Sequence, residues 1–138
     1  MSDLDFYKNL SYSNDIEYVE KNISLNISVS EITKKDILDY GCGVGDASYI
    51  FNKLSPATIT GIDIGKTNIH ICKNNKSLKN RALFIEADLN EYDLGIKKYD
   101  LIYSDTTIEF LQKDVEYILD KWECSAGTSS FQSLVAMQ

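Results

Sequence analysis

The stretch ILDYGCGVG, Ile37 to Gly45, joins an apolar run to an acid, Asp39, and then to glycines at Gly41, Gly43 and Gly45. Glycine lacks the Cβ that keeps backbone away from a ligand and adopts positive φ freely. Glycines at alternate positions therefore suit a tight strand-to-helix turn that closes on a cofactor. The same punctuation recurs outward along the chain. Apolar runs at Ile37-Leu38, Ala57 to Ile62, Ala82 to Ile85 and Leu101 to Tyr103 are each followed by an aspartate: Asp39, Asp63, Asp88 and Asp105. The first three acids lie about one strand-helix-strand period apart.

Helical spacing fills the gaps. Ile16, Val19, Ile23 and Ile27 predict an amphipathic helix over 13–27 behind a Ser13 cap. Ala47, Ile50, Phe51 and Leu54 predict a second, with Pro56 as its stop. A third over 67–77 carries Ile69 and Cys72 but is diluted by Asn74 and Asn75. Val115, Ile118, Leu119 and Trp122 repeat the stripe after the fourth run. Strands alternating with helices imply an α/β fold, a doubly wound parallel sheet with helices on its faces.

At 138 residues, 43% hydrophobic and 11% aromatic, the chain has the size and composition of one globular domain. Its formal net charge of -7 argues against a polyanionic partner such as nucleic acid. The lysine pairs Lys34-Lys35 and Lys97-Lys98 read as solvated loop charges. The opening residues lack the apolar run of a signal peptide and no stretch approaches a membrane span, so the expected location is cytoplasmic, with no membrane partner. Cys42, Cys72 and Cys124 have neither disulfide-framework parity nor CxxC spacing, which fits a reducing compartment and no structural zinc or other metal. The sequons at Asn22 and Asn26 are then chance matches in an Asn-rich stretch.

In an open parallel sheet the ligand crevice lies outside the carboxyl ends of the strands, where all four aspartates fall. Pyrophosphate would want the loop's amides and the helix end unopposed by negative charge. Asp39 and Asp46 flank this loop, and Asp46 stands where the third glycine of GxGxxG would be. Two carboxylates favour a cation, and a sulfonium or ammonium group is the cationic cofactor fragment that fits. NAD becomes the weaker reading.

The chain resembles the class I S-adenosylmethionine-dependent methyltransferases of the small-molecule type. ILDYGCGVG resembles the family's glycine loop with Asp39 as its acid, and GIDIG the end of its second strand. FIEADL resembles the third-strand motif and YDLIYSDTTIEFL the fourth. The resemblance covers residues 37–111 and implies a Rossmann-like sheet of order 3-2-1-4, with S-adenosyl-L-methionine as cofactor. It also implies roles: Asp63 accepts from the ribose hydroxyls, Asp88 meets the adenine amino group and Leu89 packs on the ring. The implied cofactor-binding set is Asp39, Gly41, Cys42, Gly43, Gly45, Asp63, Ile64, Ala87, Asp88, Leu89 and Ser104. Cys42 within it reads as a small apolar filler.

Methyl transfer from a sulfonium is an in-line displacement with a good leaving group, so positioning and desolvation supply most of the acceleration and no fixed base is required. Where an acceptor needs deprotonation, Tyr103, Asp105 and Glu109 stand near the fourth strand's end as candidates. His70, on the helix after the second strand, reads as a surface or packing residue, and Asp100 as a structural residue at the fourth strand's start. SDTT replaces the proline-rich motif of amino methyltransferases that act on nucleic acid, which points to a small-molecule acceptor.

The family continues through three more strands, so the chain reads as a C-terminally truncated member with later strands missing or degenerate. Residues 1–122 form the cofactor-binding domain and 123–138 an atypical tail. That tail contains no Lys, Arg, Asn, Ile or Tyr, and Ser129 to Met137 reads either as one more weak strand or as an altered ending. An exposed fourth-strand edge would invite a homodimer or partner chain unless the tail covers it. The leading expectation is an enzyme, a methyltransferase. The alternatives are a catalytically silent fragment that binds adenosylmethionine or adenosylhomocysteine and needs a partner and, third, an NAD-dependent oxidoreductase.

Overall fold

The computed structural model describes residues 16–89, 91, 99–105 and 134–137. Within them lie strands β1 (Asp36–Tyr40), β2 (Thr58–Asp63), β3 (Ala82–Glu86), β4 (Leu101–Asp105) and β5 (Leu134–Met137), and helices α1 (Ile16–Asn26), α2 (Asp46–Asn52) and α3 (Lys66–Lys73). The strands form one sheet in the order β3-β2-β1-β4-β5. Every described pairing is parallel, with Ile37 opposite both Ile59 and Leu101, and Asp39 opposite Gly61 and Tyr103. The chain therefore starts in the middle of the sheet, runs outward through β2 and β3, and returns to the other side of β1. That return makes the β1–β4 boundary the switch point expected of a Rossmann-like sheet.

Strand alternation sorts the core. Ile37, Ile59, Leu101 and Tyr103 face Val19, Ile23, Ile27, Ile32, Ala47, Ile50 and Phe51 in one buried cluster. A second cluster, Cys42, Ile69, Cys72, Leu78 and Phe84, lies under the glycine loop. The residues of opposite parity, Leu38, Tyr40, Thr60, Ile62, Ile102 and Ser104, are buried too, so the central strands are covered on both faces, as a parallel sheet requires.

The helices follow the apolar spacing, with shorter bounds. Val19 and Ile23 are the buried stripe of α1, and Ile16 is exposed; residues 13–15, with the expected Ser13 cap, lie outside the described residues. In α2 the stripe Ala47, Ile50 and Phe51 is buried, and the helix stops four residues before Pro56. Helix α3 ends at Lys73 with Asn74 as its C-cap, so the asparagine pair terminates the helix rather than merely diluting it. At the strand starts, Asp36 N–H donates to Asp100 Oδ2 at 2.9 Å and Asp100 N–H to the Asp36 carbonyl at 2.8 Å, a stitch between β1 and β4.

The edge of β4 is not open. Leu134–Met137 pairs with it from Ile102↔Leu134 to Asp105↔Met137, inside the segment read as one more weak strand. The expected route to a homodimer or partner chain through an exposed fourth-strand edge is thus closed by the chain's own backbone. The predicted stripe Val115 to Trp122 and Glu109 lie outside the described residues. Among the described residues no helix is long and apolar enough to cross a membrane.

Candidate functional site at the carboxyl ends of the strands

Loops leaving β1, β2 and β3 are bonded to one another at one end of the sheet. Gly41 and Cys42 N–H groups both donate to the Ile62 carbonyl, at 2.8 and 2.9 Å, which folds the glycine loop over the end of β2. Gly41, Gly43 and Gly45 have φ of 81°, 55° and 92°. At Gly45, the N-cap of α2, a Cβ would also sit 3.1 Å from Cys72 Sγ, so conformation and space both demand glycine. A different constraint holds Gly61 in β2: a Cβ there would meet the Phe84 ring at 2.6 Å and Cys42 Sγ at 3.1 Å. Its absence lets the third strand's aromatic ring pack directly beneath the loop.

The acids do not play equal parts. Asp39 is only 2% exposed and its Oδ2 accepts from Ser48 Oγ at 2.7 Å, so it braces the loop from below by a charge-assisted bond to α2. Asp46 opens α2, where a carboxylate suits the positive helix end. Asp63, half-buried, joins two loops: its Oδ1 accepts from Gly43 N–H at 3.2 Å and its Oδ2 from Gly65 N–H at 2.8 Å. Its carbonyl also accepts from Ala87 N–H at 2.9 Å, which ties the exit of β3 to that of β2. Ile64, Ala87 and Asp88 are half-buried, and Leu89 is buried with its carbonyl accepting from Tyr40 Oη at 2.9 Å.

Sequence reading missed Asn68. It lies in the first turn of α3, 4% exposed, and its Nδ2 donates to Asp63 Oδ2 at 3.1 Å. The available signal was a polar residue next to Ile69 on a stripe that must be buried.

Cys42 and Cys72 are buried, and both thiols point at the Gly43 carbonyl, at 3.7 and 3.3 Å. The Cys72 thiol bonded to it, burial, and the charges of Asp39 and Asp63 hold the Cys42 thiol well above its ordinary range. Cys42 thus packs as a small neutral thiol. The folded state keeps this proton to higher pH than the unfolded chain. The associated stability is therefore complete below the unfolded thiol pKa of ~8.5 and is lost as pH rises above it. In urea titrations between pH 8 and 10, wild type should lose up to about 1.4 kcal/mol more per pH unit than Cys42→Ala. Parallel pH profiles would contradict this assignment.

The fourth strand contributes less than expected. Tyr103 is 1% exposed and stacks edge-on against Phe51, centroids 5.3 Å apart, in the cluster with α1 and α2. Its alternation parity, shared with Leu101, turns its ring into the core. Ser104 is buried on the opposite face with no hydrogen-bond partner for its Oγ among the described residues. Asp105 ends β4, and Glu109 is outside the described residues. His70 is exposed on α3, bonded to Asn74 and away from this end of the site.

The chain is similar to known proteins. Over 78 residues it is 37% identical to malonyl-[acyl-carrier protein] O-methyltransferase 2 of Ilyobacter polytropus, a match covering 56% of this chain and 30% of that protein. A structure of an S-adenosylmethionine dependent methyltransferase from Mesorhizobium loti superposes with a TM-score of 0.68 at 18% identity, over 82% of this chain and 49% of that one. Magnesium protoporphyrin IX methyltransferase from Synechocystis with bound SAM gives a TM-score of 0.61 at 17% identity, over 80% of this chain and 54% of that one. The chain thus spans about a third of that curated relative's length. These structural likenesses establish the fold. The methyltransferase-domain family matches residues 33–130, which include the glycine loop, Asp63 and β4, and this chain belongs to that family.

Proposed function

We propose that the chain binds S-adenosyl-L-methionine at the carboxyl ends of β1 to β4 and that the protein transfers its methyl group to a small-molecule acceptor. The observation that carries this reading is the clasp of Gly43 and Gly65 by one carboxylate, Asp63. It puts a loop of positive-φ glycines and an acceptor group for hydroxyls at the same end of the sheet. The residues fit the cofactor: the small residues Gly41, Cys42, Gly43, Gly45 and Ala87 let backbone come close to a ligand beside carboxylates Asp63 and Asp88, with Asp39 and Asp46 adding negative charge beneath and beside the loop. In this reading Asp63 holds the ribose hydroxyls and Asp88 the adenine amino group, with Ile64 and Leu89 against the ring and Ser104 toward the acceptor side. Residues 1–122 form the cofactor-binding unit, and the protein works in the cytoplasm.

When bound, the cofactor supplies a methyl group on a sulfonium, open to in-line displacement. The protein's part is to orient and desolvate, which can supply most of the acceleration without a fixed base. The net charge of -7 supports a small acceptor over a polyanionic one. Incubation with methyl-labelled S-adenosylmethionine and a small-metabolite extract should label a low-molecular-weight product, at least tenfold less with Asp63→Ala. Label in nucleic acid or protein alone, or equal labelling by both proteins, would contradict the proposal.

A further inference from the structure

We infer that Asn68 is a positioning residue for Asp63, fixing which carboxylate oxygen is left to meet ligand hydroxyls; the inference rests on the cofactor reading above. A carboxylate offers about four acceptor sites, two on each oxygen. Among the described residues Asp63 receives three donors. Oδ2 takes Gly65 N–H at 2.8 Å and Asn68 Nδ2 at 3.1 Å, whereas Oδ1 takes only Gly43 N–H, at 3.2 Å. Oδ2 is saturated, and Oδ1 keeps the spare capacity.

The amide is held in this role at a cost. With Nδ2 turned to the carboxylate, Asn68 Oδ1 points the other way and, among the described residues, has no hydrogen-bond partner in its buried position. A buried orphan acceptor is unfavourable, and an apolar side chain of the same size would avoid it. Such a group in a native structure calls for a compensating role. The alternative orientation would set the amide oxygen against the carboxylate, so the donor is locked toward Asp63. Gly65 completes the clamp: a Cβ there would lie 2.7 Å from Asn68 Nδ2 and 2.9 Å from Asp63 Oδ2, so only glycine leaves room for the pair.

This geometry separates binding from stability. Asn68→Leu removes both the donor to Asp63 and the orphan oxygen, so it should keep or raise the melting temperature while weakening adenosylhomocysteine binding five- to tenfold. Gly65→Ala, which displaces the same amide and carboxylate, should reproduce the binding loss. Binding of the 2′,3′-dideoxy analogue of adenosylhomocysteine should change less than twofold in both variants, and Asn68→Leu should have no further effect in an Asp63→Ala background. Calorimetric titration of the full chain with the two ligands decides it. Wild-type affinity for adenosylhomocysteine in Asn68→Leu, or an equal loss for both ligands, overturns the positioning role alone. No binding of either ligand by wild type overturns the cofactor reading, and this inference with it.

Discussion

Replacing Asp63 by alanine is expected to weaken adenosylhomocysteine binding by about a hundredfold. A hydrogen bond to a charged group is worth about 1.5–3 kcal/mol, and two decades in affinity correspond to about 2.7 kcal/mol, so loss of the hydroxyl acceptor alone comes close to that figure. The same change unclasps the site, because the Gly43 and Gly65 amides and Asn68 Nδ2 all lose their acceptor. Loosening of the glycine loop then adds an ordering cost to every binding event. Asp63→Asn should fall between wild type and alanine, since the amide keeps one acceptor oxygen. A change of less than threefold for Asp63→Ala, measured on folded protein, would remove Asp63 from the site.

The largest expected effect on stability belongs to Phe51. It is fully buried on α2, and its ring meets Tyr103 at an interplanar angle of 82° between the helix layer and the sheet. Removing a buried phenylalanine side chain costs about 3–5 kcal/mol, a large share of the ~5–15 kcal/mol that holds a domain folded. Phe51→Ala should therefore lower the urea midpoint steeply and the melting temperature by roughly 10 °C. By contrast, Tyr18→Ala, at an exposed position on α1, should stay within about 0.5 kcal/mol of wild type. A Phe51→Ala loss below 1 kcal/mol would mean that the packing between α2 and β4 does not carry the core.

Much of this arrangement was legible because local chemistry determines it. Apolar runs ending in an acid mark the carboxyl ends of β1, β2 and β3, and the spacing between them leaves room for one helix each. The positive φ of Gly41, Gly43 and Gly45 follows from the need to turn sharply into α2. The features that escaped depend on neighbours distant in the chain. Tyr103 read as a candidate base because it stands near a strand end, but strand parity and the Phe51 ring turn it inward. Asn68 went unnoticed, since nothing in its own segment shows that Asp63 Oδ2 lies within reach. Cys42 and Cys72 belong to different elements and meet only when the loop folds back over β2. The weak apolar segment at the end of the chain could be read two ways, and pairing with β4 is what makes Leu134–Met137 a strand.

If the glycine loop and Asp63 hold S-adenosylmethionine rather than a dinucleotide, calorimetric titration of the full chain should show saturable one-to-one binding of S-adenosylmethionine and no heat with NAD; saturable NAD binding without S-adenosylmethionine binding would overturn the cofactor assignment.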